Sequence, residues 1–306
     1  MSDGHKPRSI TGRGAAANPK NRFEKIEVEP DPAETGDEPR PETVYLRDHS
    51  RSIVATNNSP DIGFDASINP YRGCSHGCAY CYARPTHEYL GLSAGLDFES
   101  KVLVKEDAAG LLRERLSSTR WEPKVLSMSG VTDPYQPVER KLGITRGCLE
   151  VLAGFRNPVV VVTKNHLVTR DTDLLSELAR YGAAAVAVSL TTLDDDLRRV
   201  MEPRTSRPVR RLAAIRKLSE AGIPVGVMTA PVTRASTTTS SPTSSPPPRR
   251  PALPSPAMFP CAFPAPWLRS SRSGWSVTSL TARGRCWAAS APCAAENSTI
   301  RGSGPG

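Results

Sequence analysis

No apolar run in this 306-residue chain approaches the roughly 18 residues that a membrane-crossing helix needs, so the sequence is read as free of membrane spans. Residues Met1–Arg22 are polar and basic and lack the apolar stretch of a secretory leader. A reducing, cytoplasmic setting is expected, in which clustered cysteines serve metal binding or catalysis more often than disulfides. Lys and Asp are missing altogether from Arg234–Gly306, where eight Arg face one Glu. That stretch carries +7 of the net charge of +9, which leaves only +2 for all the rest. The basic character belongs to the tail. The core also lacks a basic stripe interleaved with aromatics, so a nucleic-acid partner is possible but not supported by the core.

Three regions follow from composition. Residues 1–54 form a Pro-, Gly-, Lys- and Glu-rich arm without apolar periodicity, expected to be disordered or loosely draped. Residues 55–232 alternate short apolar runs with helical patterns. The strand candidates are Phe64–Asn69, Lys101–Val104, Val125–Ser129, Pro158–Thr163, Ala184–Leu190 and Pro224–Ala230. Helical patterns between them include Ala108–Leu116, Arg146–Leu152, Asp171–Tyr181 and Pro208–Ala221, the last closed by Gly222 with Pro224 beyond. Six β–α alternations predict an α/β fold with a parallel sheet, open or curled into a partial barrel. The run NPVVVVT is apolar on successive residues, as in a strand buried on both faces. Residues 233–306 are Ser-, Thr- and Pro-rich, and a disordered tail is expected.

Chemistry concentrates just after the first strand, where such folds place their sites. YRGCSHGCAYCYARPTHEYLG carries Cys74, Cys78 and Cys81 in a C-x3-C-x2-C spacing. Three is an odd number for disulfides, and a structural zinc site wants four ligands. Three thiolates suit a [4Fe–4S] cluster whose fourth iron stays open to a substrate or cofactor. A zinc knuckle completed by His76 or His87, or a set of plain reduced thiols, is the alternative on spacing alone. Cys148, within TRGCLEVL, reads as a small buried apolar residue.

The neighbouring words narrow the choice. The cysteine run with Tyr80 before the third Cys, together with SGVTDPYQPVE, VVVVTKNHL and SLTTLDDDLRRVMEPRT, resembles the radical S-adenosylmethionine (SAM) superfamily, in the branch similar to spore photoproduct lyase. The resemblance spans about Arg51 to Val232. It implies a partial (β/α)6 TIM-like barrel in which Cys74, Cys78 and Cys81 bind a [4Fe–4S] cluster. The open iron would chelate S-adenosyl-L-methionine, and reductive cleavage would give a 5′-deoxyadenosyl radical that abstracts hydrogen from an unknown substrate. It further implies a flavodoxin- or ferredoxin-type electron donor. SAM contacts are expected from Tyr80 near the adenine or cluster, from Tyr82 as a second aromatic, and from Lys164 to the carboxylate. Ser189 is expected at the methionine or ribose. Thr132 and Asp133 end the third strand, with Asp133 either accepting from the amino group or capping the turn before Pro134. His76 reads as a solvent or backbone contact and His87 as packing or a substrate neighbour, while Glu202 and Arg204 either line the mouth or pair with each other. No catalytic residue can be named. The lyase's hydrogen-donating cysteine has no counterpart in Ser129–Asp133, which counts against the same reaction here. A non-catalytic iron–sulfur or zinc protein and a nucleic-acid repair lyase are the alternatives.

The tail has a further peculiarity. Arg, Ala, Pro, Ser, Trp and Cys are what a GC-rich gene yields when read out of frame. Codons that permit R-A-S-T-T-T-S at 234–240 also permit P-G-F-N-D-H-E one base earlier, which matches the P-G-x-N-D continuation common among the family. The end similarly permits a Lys-, Tyr- and Asp-containing alternative. A shift of reading frame near Val232 is therefore expected. Sequencing the gene tests this: the alternative frame should run past Val232 without a stop codon, and a stop within the first few dozen bases would mean that the tail is genuine.

Overall fold

The computed structural model describes residues 10–24, 42–58 and 64–231. The expected disorder of the tail and its shifted frame fall outside these residues. In chain order the elements are β1 (Val44–Arg47), β2 (Val54–Thr56), β3 (Ala66–Ile68), β4 (Tyr71–Arg72), α1 (Leu96–Ser100), β5 (Lys101–Val104), α2 (Ala108–Ser117), β6 (Leu126–Met128) and α3 (Glu139–Leu142). They continue with α4 (Ile144–Phe155), β7 (Val159–Thr163), α5 (Thr172–Arg180), β8 (Ala184–Ser189), α6 (Asp195–Met201), α7 (Pro208–Glu220) and β9 (Val225–Met228), with 3-10 helices at Arg84–Leu90 and His166–Asp171.

Strands β3, β6, β7, β8 and β9 lie side by side and parallel in sequence order, and β2 closes one edge antiparallel to β3. This is the expected α/β, partial TIM-like architecture, with one rearrangement. Lys101–Val104 does not join that sheet. It forms the centre of a second, three-stranded sheet between β1 and β4. Its partner β1 comes from the arm, and β2 (Val54–Thr56) spans the arm's end; composition had masked both short strands.

The main sheet has two unlike faces, fixed by the period of two along each strand. One face carries Ala66, Ile68, Leu126, Met128, Val159, Val161, Val186, Val188 and Val225, all in the principal core. Helices α2, α4, α5 and α7 cover it with Leu112, Leu149, Leu152, Leu175, Leu178, Ile215 and Leu218. Each such side chain, fully buried, contributes roughly 1.5–3 kcal/mol. The opposite face is lined by small residues: Ser67, Ser127, Ala185, Ala187 and Gly226 beside Val160 and Val162. This is why β7, expected to be buried on both sides, alternates between full and partial burial. Small side chains leave space above that face, and the parity of the strands puts Lys164 and Ser189 at its carboxyl-terminal rim.

A buried polar network fixes the chain that leads into the cysteine loop. The Glu139 carboxylate, fully buried, accepts from the Tyr71 hydroxyl at 2.5 Å, from the Thr145 N–H at 3.0 Å and from Arg170 at 2.7 Å. Arg170 also donates to Asp171, which accepts from Tyr135 and Arg146 at 3.0 Å each. Burial, then the Glu139 charge, raises the Tyr71 phenol well above its usual value, so it remains a donor. Glu139→Ala would leave Arg170, the Tyr71 hydroxyl and the Thr145 N–H without this acceptor. We expect a loss of about 3–5 kcal/mol in urea unfolding, the scale of a broken buried ion pair; a change below about 1 kcal/mol would show the network to be dispensable.

Candidate active site

The cysteine loop turns on Gly73 and Gly77, at φ +83° and +64°, backbone that side chains rarely adopt. A Cβ at Gly77 would also stand 2.1 Å from the Glu99 carboxylate. The loop is pinned at both ends by backbone bonds, from the Cys74 N–H to the Phe98 carbonyl and from the Ala79 N–H to the Met201 carbonyl, 2.9 Å each. Arg84 donates to the Cys78 carbonyl at 3.1 Å and pairs with buried Glu99 at 3.1 Å. Glu99 in turn accepts from the N–H groups of Gly14 and Ala15 at 3.0 and 2.8 Å. Residues 10–24 of the arm thus lie against the back of the loop, which composition alone did not reveal.

Cys74 and Cys78 are buried and Cys81 is half-buried, and all three are reduced. Burial raises all three thiols: Cys74 far up, Cys78 to about 12, Cys81 in the same direction. Cys74 is raised further by Asp133 and by the other two thiols, so the three lie close enough to oppose one another's ionisation. Such a donor set needs a cation to become thiolate, and soft cations are the ones it suits. One buried polar atom of the same loop, Ser75 Oγ, lacks a hydrogen-bond partner, which also fits a group seated there. Among the described residues no three His, Cys, Asp or Glu side chains converge on a point that would hold one metal ion.

Opposite the thiols lies a second, polar group. Lys164, just past β7, donates from Nζ to Ser189 Oγ at the end of β8, lies 3.4 Å from Glu202 Oε1, and sits 5.5 Å from the centre of the Tyr80 ring. Glu202 is fully buried and accepts from the Tyr80 hydroxyl, from Thr191 at 2.6 Å and from Arg211 at 2.5 Å. Burial alone would raise this carboxyl, but Lys164 and Arg211 outweigh it and hold the group at about 2, against an ordinary 4.5. Tyr80, Lys164 and Ser189, named from sequence, are therefore brought together. Glu202, left undecided there, pairs with Arg211 and Lys164 rather than with Arg204. The signal that could have found it is Arg211, a charge on the buried 211–214–215–218 stripe of α7.

Asp133 has both oxygens occupied. Oδ1 accepts from the Tyr135 N–H and Thr163 Oγ1 at 2.8 Å, and Oδ2 from the Lys164 N–H at 2.7 Å, with His76 Nδ1 at 3.3 Å. Burial would raise it; His76 and these donors bring it below its ordinary range. Its turn-capping bond to Tyr135 is one of the two roles expected. Thr132 donates to the Tyr71 carbonyl at 2.9 Å. Tyr82 points elsewhere, 72 % exposed, with its hydroxyl on the Gly130 carbonyl. His76 is fully buried, not solvated, and contacts Asn165 at 3.3 Å. His87 packs against Phe98 with Nε2 2.9 Å from the Lys101 carbonyl, and burial lowers it. Cys148 lies in the core, as expected.

A family model of the Radical SAM superfamily matches residues 68–234, over half of the chain, and the chain belongs to that superfamily. An uncharacterized protein of Mycobacterium tuberculosis is 41% identical over 175 residues, covering 57% of this chain and 52% of that protein. One of Methanocaldococcus jannaschii is 28% identical over 165 residues, covering 54% and 59%. A solved structure of spore photoproduct lyase complexed with dinucleoside spore photoproduct superposes with a TM-score of 0.47 at 20% identity, over 62% of this chain and 52% of that one. The chain spans about half the length of the curated relatives it matches.

The depressed carboxyl gives a pH test. With a folded value near 2 and an unfolded one near 4.5, Glu202 stabilises the fold fully above about 4.5, and that contribution is lost as pH falls through about 2. Glu202→Gln should be less stable than the parent at pH 7, and the gap should close between pH 4.5 and 2 in urea unfolding. A gap that stays constant over that range would mean that the carboxylate charge plays no part.

Proposed function

We propose that the chain is a radical SAM enzyme in which Cys74, Cys78 and Cys81 hold a [4Fe–4S] cluster and Lys164, Ser189 and Tyr80 receive S-adenosyl-L-methionine. The observation that carries this reading is the meeting of three clustered thiols, two buried and one half-buried, with the Lys164–Ser189–Glu202 group at the strand ends. A metal knuckle without catalysis would not need that polar group. When bound, the cluster and SAM together supply a 5′-deoxyadenosyl radical that abstracts hydrogen.

The residues of the chain divide the work. Glu202 keeps the Lys164 ammonium fixed and charged, with Nζ aimed across Ser189 Oγ as a compact cation for a carboxylate. Tyr80 gives Lys164 a ring face and anchors its own hydroxyl on Glu202. Asp133 ties the ends of β6 and β7 to His76, and so to the thiol loop, which sets the distance between the two halves of the site. Burial of the loop excludes water. Thr132 acts through Tyr71 and Tyr82 through Gly130, as positioning groups at the rim. A flavodoxin- or ferredoxin-type protein is the electron donor in this reading, and the reducing cytoplasm the compartment.

Anaerobic reconstitution with iron and sulfide, followed by reduction with SAM, tests the proposal. We expect about four irons per chain, broad visible absorption, and methionine with 5′-deoxyadenosine as products. Replacing the three cysteines by Ala should abolish iron uptake. Lys164→Ala should keep the irons but weaken SAM binding by about 1.5–3 kcal/mol, the scale of a charged hydrogen bond. Zinc uptake in place of iron, or unchanged SAM affinity in that variant, would overturn the respective part.

A further inference from the structure

A cleft of about 450 Å³ lies between the 3-10 helix His166–Asp171, α3 and α7. Its size falls among small-ligand pockets. Arg140, Arg170, Arg207, Arg210 and Lys217 line it together with His166, and no Asp or Glu does. Two of the cations are answered from outside the cleft: Arg170 by Glu139 and Asp171, and Arg207 by Asp195 at 3.1 Å. Arg140, Arg210 and Lys217 have no carboxylate partner among the described residues. Burial, then Arg210 and Lys217, lowers His166, a sign of unbalanced positive charge at this place. The neutral lining offers hydroxyl and amide groups, including Ser206 and Asn165. Several cations gathered around a concave, acid-free space repel one another until an anion enters.

We propose that this cleft binds a phosphoryl anion, carried by a small phosphate ester or by a nucleic-acid backbone, with Arg140, Arg210 and Lys217 as its principal charges. The proposal does not depend on the radical reading, although the two places share a wall. Asn165 follows Lys164, accepts from Ser206 Oγ at 3.0 Å, and touches His76 of the thiol loop at 3.3 Å. A phosphate seated in the cleft would therefore lie against the residues that frame the thiol site.

Direct binding to the full chain, without SAM or reductant, tests it. Titration calorimetry with inorganic pyrophosphate and with a short single-stranded oligonucleotide should show binding of at least one probe that weakens as salt rises. Arg140→Gln with Arg210→Gln should weaken that binding by roughly tenfold or more. For the oligonucleotide, the slope of log affinity on log salt should flatten by roughly 0.7 for each charge removed. Arg113→Gln on exposed α2 removes the same charge from another face and should leave both unchanged; this separates the cleft from the basic tail. Pyrophosphate binding that the oligonucleotide does not surpass identifies a small ester as the source, and much tighter oligonucleotide binding identifies the backbone. Should the double variant fail to fold, Lys217→Gln alone decides, with a smaller loss in the same direction. Absence of binding by either probe, or equal affinity in the parent and the cleft variants, overturns the proposal.

Discussion

The buried pair of Glu202 and Arg211 is the constraint on which the site depends. Two charges taken out of water cost several kcal/mol each unless their remaining valences are met. Here they are. Arg211 also donates to the Ser189 and Ser206 carbonyls at 2.9 and 2.8 Å, and Glu202 also gathers Thr191, Tyr80 and Lys164. One carboxylate therefore sets the end of β8, the start of α7, the aromatic of the cysteine loop and the lone ammonium beside it. Removing it would disturb all four.

The thiol loop is held from three other directions. Gly73 and Gly77 supply backbone shapes that a Cβ would strain, Glu99 binds the arm and Arg84 to its back, and Asp133 approaches from the sheet. The thiols are kept protonated by burial and by one another. A cationic group seated here lets the thiols ionise, so its affinity and the order of the loop rise together. In the cationic cleft the signs are reversed: positive side chains gather around a space that no carboxylate lines.

Both places adjoin the chain that leaves the carboxyl end of β7, through Lys164 in one and Asn165 and His166 in the other. That position follows from the sheet. Its bulky face is committed to helices, and its small face leaves room, so the polar groups that end the strands are the ones free to meet a ligand.

Much of this was legible in the residues. All six strand candidates and all four helical patterns fell where periodicity put them, five of the strands in the main sheet and Lys101–Val104 in the second, because alternation and the 3.6-residue stripe record burial directly. The spacing of Cys74, Cys78 and Cys81, and the polar residues Lys164 and Ser189 ending apolar strands, marked the site from sequence because chemistry-bearing residues stand out against apolar runs. Other features needed the tertiary structure. Lys101–Val104 reads like any buried strand, yet it pairs with Val44–Arg47, and pairing between distant segments leaves no local trace. His76 and Asp133 look like loop residues until the fold closes them on each other, across 57 positions of chain. Arg207, Arg210 and Lys217 come from one basic stretch around α7, but Arg140 and Arg170 lie far from it in sequence, and only the packing of α3, α7 and one 3-10 helix brings all five around a common space. Sequence alone determined which residue types and periods were available; the long-range contacts decided which of them meet, because charge and hydrogen bonding act over ångströms in space and not along the chain.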